Sequence, residues 1–361
     1  MTRSLSAMVL AGGDAAAMRG TRPKPLHRLC GRPMVSFVLD ALGASPTDRV
    51  VVVVDGEPDR VAKAISQTVP GLAPDVVEQP RGSGTGDAVA AGLTAFGSDE
   101  LDDDDADVLV LFGDAPLLRP ETVVSLIEQH RATDADATVL TVPLSGQIGA
   151  RRATRGRDGR ITQISADLPV EDEPVDDVEA TEVLCVRRSL VGPALRRVAE
   201  RDVLRGYDLL GLVPVLHQAG YRVELAAIDQ ADDTRRVHDR VGLADAEAEL
   251  RRRINRSWMQ RGVTIVDPAS TYIDTTVSLA PDVTIFPSTM LQGGTSVDEG
   301  AEIGPDTRLV DCEVGARARI EKTTGTGATI GADAVVGPFA ALGRGTEVTP
   351  GATTGPFWSG A

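Results

Sequence analysis

An apolar run at 7–11 (AMVLA) opens onto Gly12 and Gly13, the first place where this 361-residue chain could do chemistry. A glycine-rich turn after a strand lets backbone N–H groups come close to a base and to phosphates, because no Cβ stands in the way. Lys24 follows in the same stretch, LAGGDAAAMRGTRPKPLHRLCGRPM, and the only other lysines are Lys63 and Lys322. Two glycines alone are a weak motif. Cys30, Cys185 and Cys312 are odd in number and far apart, which implies neither a disulfide framework nor a zinc site.

The elements that must position these residues are legible as two grammars. Up to about residue 250, short apolar runs at 7–11, 49–54, 107–112, 137–142 and 183–187 predict strands. Between them 33–43 and 84–96, with apolar residues three or four apart, predict helices. That alternation predicts an α/β, Rossmann-like domain with a mostly parallel sheet and ligands at the carboxyl ends of its strands. Residues 241–262 (VGLADAEAELRRRINRSWMQRG) predict one long helix closed by Gly262. After it an aliphatic residue recurs every six positions, at Leu279, Ile285, Leu291, Val297, Ile303 and Leu309. The register slips and resumes at Ile330, Val336, Leu342 and Val348, with Gly, Asp, Pro and Thr between. A sustained period of six predicts a short left-handed parallel β-helix of hexapeptide repeats, with four or five coils. The expected domains are therefore 1–240, a linker helix at 241–262, and a β-helix at 263–361.

The 37 Lys and Arg against 53 Asp and Glu give a formal charge of −16, which argues against nucleic acid as a partner. The acidity is local. Seven acids fall in 99–107 (DELDDDDAD) and six in 171–179 (EDEPVDDVE), and the remainder is nearly neutral. Both runs read first as solvated loops. No run approaches the ~18 apolar residues of a membrane span, and the N-terminus lacks a signal peptide's apolar stretch. A soluble, cytoplasmic protein without a membrane partner is expected.

Gly12-Gly13, Pro23-Lys24, Gly31-Arg32-Pro33, Gly84-Thr85-Gly86 in EQPRGSGTGDAVAAGL, and LVLFGDAPLLRPET at 109–122 together resemble a known enzyme class. These are the nucleotidyltransferases that join a nucleoside triphosphate to a sugar 1-phosphate. The run LRRRINRSWMQRGVTIVDPASTYID at 250–274 narrows the resemblance. It is similar to the junction of the bifunctional N-acetylglucosamine-1-phosphate uridyltransferase and glucosamine-1-phosphate acetyltransferase (GlmU) family. The resemblance implies Lys24 and Asp114 as catalytic residues. It implies Leu10, Ala11, Gly12, Gly13, Gln79, Gly84 and Thr85 around a UTP-like nucleotide. It also implies Mg²⁺ on Asp114, since a hard cation wants carboxylate oxygen. The second metal ligand falls on His238, where the family's G-V-N-[ND]-R reads Arg236, Val237, His238, Asp239, Arg240. Imidazole suits softer metals. Asp114 also reads as a turn residue ending a strand, and His238 as a partly exposed polar residue.

Departures from the family pattern cluster. Its triphosphate-steadying arginine falls on Ala17, and Asp14 stands where a lysine is common; Arg19 and Arg22 are the shifted candidates for that charge. Its G-Y-G-R reads Gly149, Ala150, Arg151, Arg152, and its other sugar contacts fall on Ala166, Ala180 and Leu210. In the acetyltransferase half both arginines of G-P-F-A-R-L-R-P-G are changed, at Ala341 and Gly343, and no histidine follows His238. Acetyl transfer, which needs a general base, is expected to be lost. The expected function is a nucleotidyltransferase with an altered acceptor, an unacetylated or carbocyclic sugar-like phosphate. The other reading is a catalytically inactive, nucleotide-binding or structural homologue. In both, the β-helix is expected to build a homotrimer.

Overall fold

The computed structural model describes residues 3–13, 15–79, 84–97, 100, 106–144, 150–166, 175–201 and 208–360. The chain groups into two compact units, Met1–His27 with Pro33–Gly242, and Arg28–Arg32 with Leu243–Ala361.

The first unit is built on a seven-stranded sheet. Its strands are β1 (Ser4–Leu10), β2 (Arg49–Val54), β3 (Asp75–Glu78), β4 (Ala106–Phe112), β5 (Ala137–Pro143), β6 (Val178–Arg187) and β7 (Val223–Ala227). They lie in the order β7-β5-β6-β4-β1-β2-β3. All neighbours are parallel except β6, which runs antiparallel to both β4 and β5. Among the described residues, the α-helices of this unit are α1 (Met34–Ala41), α2 (Pro58–Thr68), α3 (Thr85–Leu93), α4 (Pro120–Thr133), α5 (Arg188–Arg201) and α6 (Leu212–Gln218). β2 reads RVVVVV, and its five valines are 8% exposed or less, as a parallel strand covered on both faces requires. Proline opens α2 and α4, where a missing N–H costs nothing. β3 and β7 are the two sheet edges. Edge strands lack the continuous apolar run, which is why the apolar pattern does not announce them. Asp107, counted with the acidic loop 99–107, is instead fully buried inside β4, with His130 Nε2 at 3.4 Å. Residues 99 and 101–105 of that run lie outside the described residues.

The second unit contains most of α7 (Arg240–Gln260), then a left-handed parallel β-helix. Strands of two or three residues stack into three parallel sheets of five, six and five strands. The aliphatic residues at period six all point inward, from Leu279 at 9% exposed to Ile285, Leu291, Ile303 and Leu309 at 0%. Buried threonines close the corners by donating to nearby carbonyls, as Thr289 and Thr295 do to Phe286 and Gln292 at 2.7 Å.

The slip in the repeat has a physical form. Thr284 pairs with Glu302, a full coil of 18, whereas Arg308 pairs with Thr324 and Glu313 with Thr329, coils of 16. The inward positions run Leu309, Val314, Ile320, Gly325, Ile330, so three of the four steps are five residues long. The shortened coils leave no room at Gly325, where a Cβ would lie 3.0 Å from Leu309 Cδ2 and 3.2 Å from Cys312 Sγ. Restoring the repeat with Gly325→Leu is expected to lower unfolding stability by about 1–3 kcal/mol, because overpacking must displace these neighbours. Denaturant melts of the two proteins check this; an unchanged or raised midpoint contradicts it.

Candidate functional site

The residues singled out in the first unit converge at the carboxyl ends of the parallel strands. Leu10 ends β1, and the Ala11 N–H is bonded to the Val53 carbonyl at 2.7 Å, which ties the glycine turn to β2. Gly13 has φ +136°, a backbone state that excludes a side chain without strain, and its N–H donates to Asp55 Oδ2 at 3.2 Å. Gln79 follows β3, and Gly84 and Thr85 open α3. Leu10, Gly12, Gly13, Gln79, Gly84 and Thr85 line one cleft of about 420 Å³, together with Asp55, Phe112 and Arg236. Ala11 is buried behind the cleft at 2% exposed. Thr85 spends its hydroxyl oxygen on the Leu209 N–H at 2.8 Å, which leaves its O–H proton as a donor. A larger cavity, about 700 Å³, lies in the second unit beside Arg251, Arg256 and Pro268; no residue expected to act on nucleotide lines it.

The proposed catalytic pair is brought into direct contact. Lys24 sits in a short 3₁₀ turn, 6% exposed, and donates to Asp114 Oδ2 at 2.5 Å. Asp114 itself is 3% exposed and follows β4 by two residues. Sequence reading did not single out the second cation. Arg236 Nε donates to Asp114 Oδ1 at 2.8 Å and Arg236 Nη2 to Oδ2 at 3.1 Å, a bidentate fork. Its guanidinium lies over the Phe112 ring at 4.0 Å. The Val237 N–H donates to the Asp114 carbonyl at 2.7 Å and fixes the strand end against this segment. Burial pushes the Asp114 carboxyl up, but Arg236 and then Lys24 outweigh it and hold it below its ordinary value. The pattern continues outward with alternating sign. Arg236 Nη1 reaches Glu182 at 2.8 Å, and Arg151 Nη1 reaches Glu182 at 2.6 Å and Asp208 at 2.9 Å.

These contacts decide several expectations. Arg151 is held between two carboxylates through Nη1. Arg19 and Arg22 are exposed, and Arg22 makes a backbone hydrogen bond to His27; Ala17 is exposed as well. Asp14 and Gly149 lie outside the described residues. Ala180 and Leu210 are buried apolar positions, at 5% and 1% exposed, where the resemblance calls for polar sugar contacts. Ala166 is exposed. Asp176 and Asp177, within the second acidic run, pair with Arg155 and Arg152 at 2.9 and 3.3 Å, so this described part is not a free acidic loop. Residues 171–174 lie outside the described residues.

The Mg²⁺ implied by the resemblance does not fit the donor set. A carboxylate offers about four lone-pair directions, and three of those on Asp114 already face Lys24 and Arg236. His238 is exposed and makes no hydrogen bond or ion pair among the described residues. Partial burial and then Arg236 lower its pKa, so it is a neutral imidazole at pH 7. Neutral imidazole is a poor partner for Mg²⁺. Sequence inspection passed over Arg236, Glu182 and Asp55. Asp55 carried a readable signal, as the first polar residue after a run of five valines.

Asp114→Asn is expected to destabilise the first unit by about 3–5 kcal/mol at pH 7, because it leaves the buried Lys24 and the half-buried Arg236 underpaired. Its folded-state pKa lies below the ordinary 3.8, so the contribution is complete above that value and is lost as pH falls through the lowered one. Thermal melts against pH are expected to show a wild-type advantage at neutral pH that closes in acid; a gap independent of pH contradicts this.

Comparison with known proteins places these observations. Residues 7–241 match the MobA-like NTP transferase domain family. The bifunctional protein GlmU of Kineococcus radiotolerans is 39% identical over 97% of this chain and 70% of its own length. That of Mycolicibacterium vanbaalenii is 38% identical over 98% of this chain and 72% of its own length. Among solved structures, CMP:2-keto-3-deoxy-manno-octonic acid synthetase complexed with CTP superposes with a TM-score of 0.51 at 15% identity. That match covers 69% of this chain and 99% of that one, and it bears on the fold alone. With the family signature over the cleft-bearing unit and whole-chain identity to its curated members, this chain belongs to the GlmU family, a MobA-like nucleotidyltransferase domain followed by a hexapeptide-repeat β-helix.

Proposed function

We propose that the chain is a nucleotidyltransferase of the sugar-1-phosphate class whose acceptor is not N-acetylglucosamine 1-phosphate. The observation that carries this reading is the cleft itself. Its glycine turn, Gln79 and Thr85 face one volume, with Lys24 close to Gly13, 3.8 Å from where a Cβ would stand. A nucleoside triphosphate bound there has its base against Gln79 and Thr85 and its phosphates toward Gly13 and Lys24. Lys24 spends one of its three donors on Asp114 and keeps two for phosphate oxygens. An oxygen of the acceptor phosphate attacks the α-phosphorus in line, the α–β bridging bond breaks, and pyrophosphate leaves. No protein nucleophile is required, because positioning and charge neutralisation do the catalysis.

The acceptor side supports the altered specificity. A site that hydrogen-bonds a substrate's polar groups discriminates strongly by leaving its own groups unpaired with the wrong partner. Ala180 and Leu210 remove such groups, and Arg151 and Glu182 are committed to each other. An acceptor with fewer polar substituents, an unacetylated or carbocyclic sugar-like phosphate, suits that lining. One observation favours the inactive reading instead: Ala17 stands exposed where the family places an arginine. The same proposal assigns the β-helix to homotrimer assembly. Val266, Tyr272, Val335, Phe339 and Phe357 of the second unit are 37–75% exposed, apolar surface that association would cover.

Pyrophosphate release across the four ribonucleoside triphosphates and a panel of sugar 1-phosphates tests the reading. At least one pair is expected to turn over, with N-acetylglucosamine 1-phosphate not the best acceptor. Lys24→Ala is expected to lower kcat by roughly 10²–10³-fold. Silence across the whole panel, with nucleotide binding retained by calorimetry, selects the inactive reading. Light scattering is expected to give a trimer in solution; a monomer removes the assembly assignment.

A further inference from the structure

Arg236 occupies the place from which a divalent cation would act. Its guanidinium lines the nucleotide cleft beside Gly12, Gly13 and Phe112. It grips both oxygens of Asp114, at 2.8 and 3.1 Å, from the cleft side of the carboxylate that the resemblance nominates as metal ligand. In the pattern that the chain otherwise follows, this position is a glycine and bears no side chain. The neighbouring substitution, His238 for asparagine, removes the second oxygen ligand. Both halves of one metal site are thus altered within three residues, and one of the replacements is itself a cation.

The guanidinium is held from several sides. Phe112 stacks against it at 4.0 Å, Glu182 accepts from Nη1 at 2.8 Å, and Asp114 takes the fork. Its side chain is nevertheless 25% exposed, so one edge remains open. Of the five N–H donors of an arginine, three are spent on these carboxylates and two remain, a number suited to phosphate oxygens. Mg²⁺ demands near-octahedral oxygen ligation at roughly 2.1 Å, and Lys24 and Arg236 already hold three of about four lone-pair directions of Asp114 with positive charge.

We infer that Arg236 is a built-in replacement for the divalent cation, and that the cleft takes a metal-free nucleoside triphosphate whose phosphate oxygens meet Arg236 and Lys24 directly. The phosphate half of this inference rests on the nucleotide-binding reading of the cleft; the closure of Asp114 to metal stands on geometry alone. Arginine stays charged at every accessible pH, so the replacement is permanent and needs no loading step.

Two measurements on the full chain separate the halves. Mn²⁺ titration followed by electron paramagnetic resonance, without nucleotide, reads the metal site. Wild type and Asp114→Asn are expected to give superimposable isotherms, and Arg236→Gly/His238→Asn to gain one site per chain. A Mn²⁺ site in wild type that Asp114→Asn abolishes overturns the inference. Calorimetry with UTP, CTP, ATP and GTP reads the phosphate contact. The best nucleotide is expected to bind within about threefold the same in EDTA and in Mg²⁺, and Arg236→Gly to weaken binding in EDTA at least tenfold. Arg236→Lys, which keeps the charge but loses the fork, is expected to fall between them and serves if Arg236→Gly does not fold. Tight binding that needs Mg²⁺ overturns the inference. Absence of nucleotide binding in every condition overturns the phosphate contact and the proposed function together, while the Mn²⁺ isotherms still decide whether Asp114 is closed to metal.

Discussion

One buried carboxylate organises the cleft-bearing edge of the first unit. Taking Asp114, Lys24 and Arg236 out of water costs several kcal/mol per ion, and only close, well-directed pairing offsets it. The pairing here is close, at 2.5, 2.8 and 3.1 Å, and Phe112 covers the guanidinium. The cluster joins four separate stretches of chain: the turn at Lys24, the end of β4, the segment at Arg236, and Glu182 in β6. Because Arg236 also needs Glu182, and Glu182 also holds Arg151, the charges alternate outward until Asp208 meets solvent at 41% exposure. The ladder therefore ties the cleft-lining Arg236 to the strand end at Asp114 and runs from there out to the surface.

The two units obtain their cores by different means. In the first, aliphatic strands are covered on both faces by helices, and polar groups sit at the strand ends where the backbone stops pairing. In the second, each coil exposes one aliphatic residue per flat side to an axis shared with the coils above and below. No coil has a core by itself, so stability comes from stacking. The five-residue steps show how far that arrangement stretches: Leu309 and Val314 keep full side chains across one of them, while at Gly325 the inward side chain shrinks to nothing.

The charge pattern changes meaning once side chains have neighbours. The two acidic runs read alike as solvated loops, yet Asp107 is a core residue against His130, and Asp176 and Asp177 are ion-paired. Acidity that is counted along the chain says little about the field at the cleft. There Lys24, Arg236 and Arg151 are paired with Asp114, Glu182 and Asp208, and Asp55 adds a further carboxylate to the cleft lining.

The α/β class, the strands at 49–54 and 107–112, the helix at 240–260 and the six-residue repeat were legible because each is a local period that backbone geometry enforces at short range. The glycine turn was legible because close backbone approach admits few residue types, whereas Gln79 and Gly84-Thr85 were named through the family resemblance alone. The edge strands β3 and β7 were not, since an edge is defined by what lies beside it. Nor was the character of Asp114. A carboxylate at a strand end invites a metal as readily as a guanidinium, and the choice falls to Arg236, 122 positions away along the chain. Chain pattern determined which elements form and where the cleft opens; only the tertiary structure decided which cation answers the buried charge, because Coulomb attraction acts through space and leaves no period in the sequence.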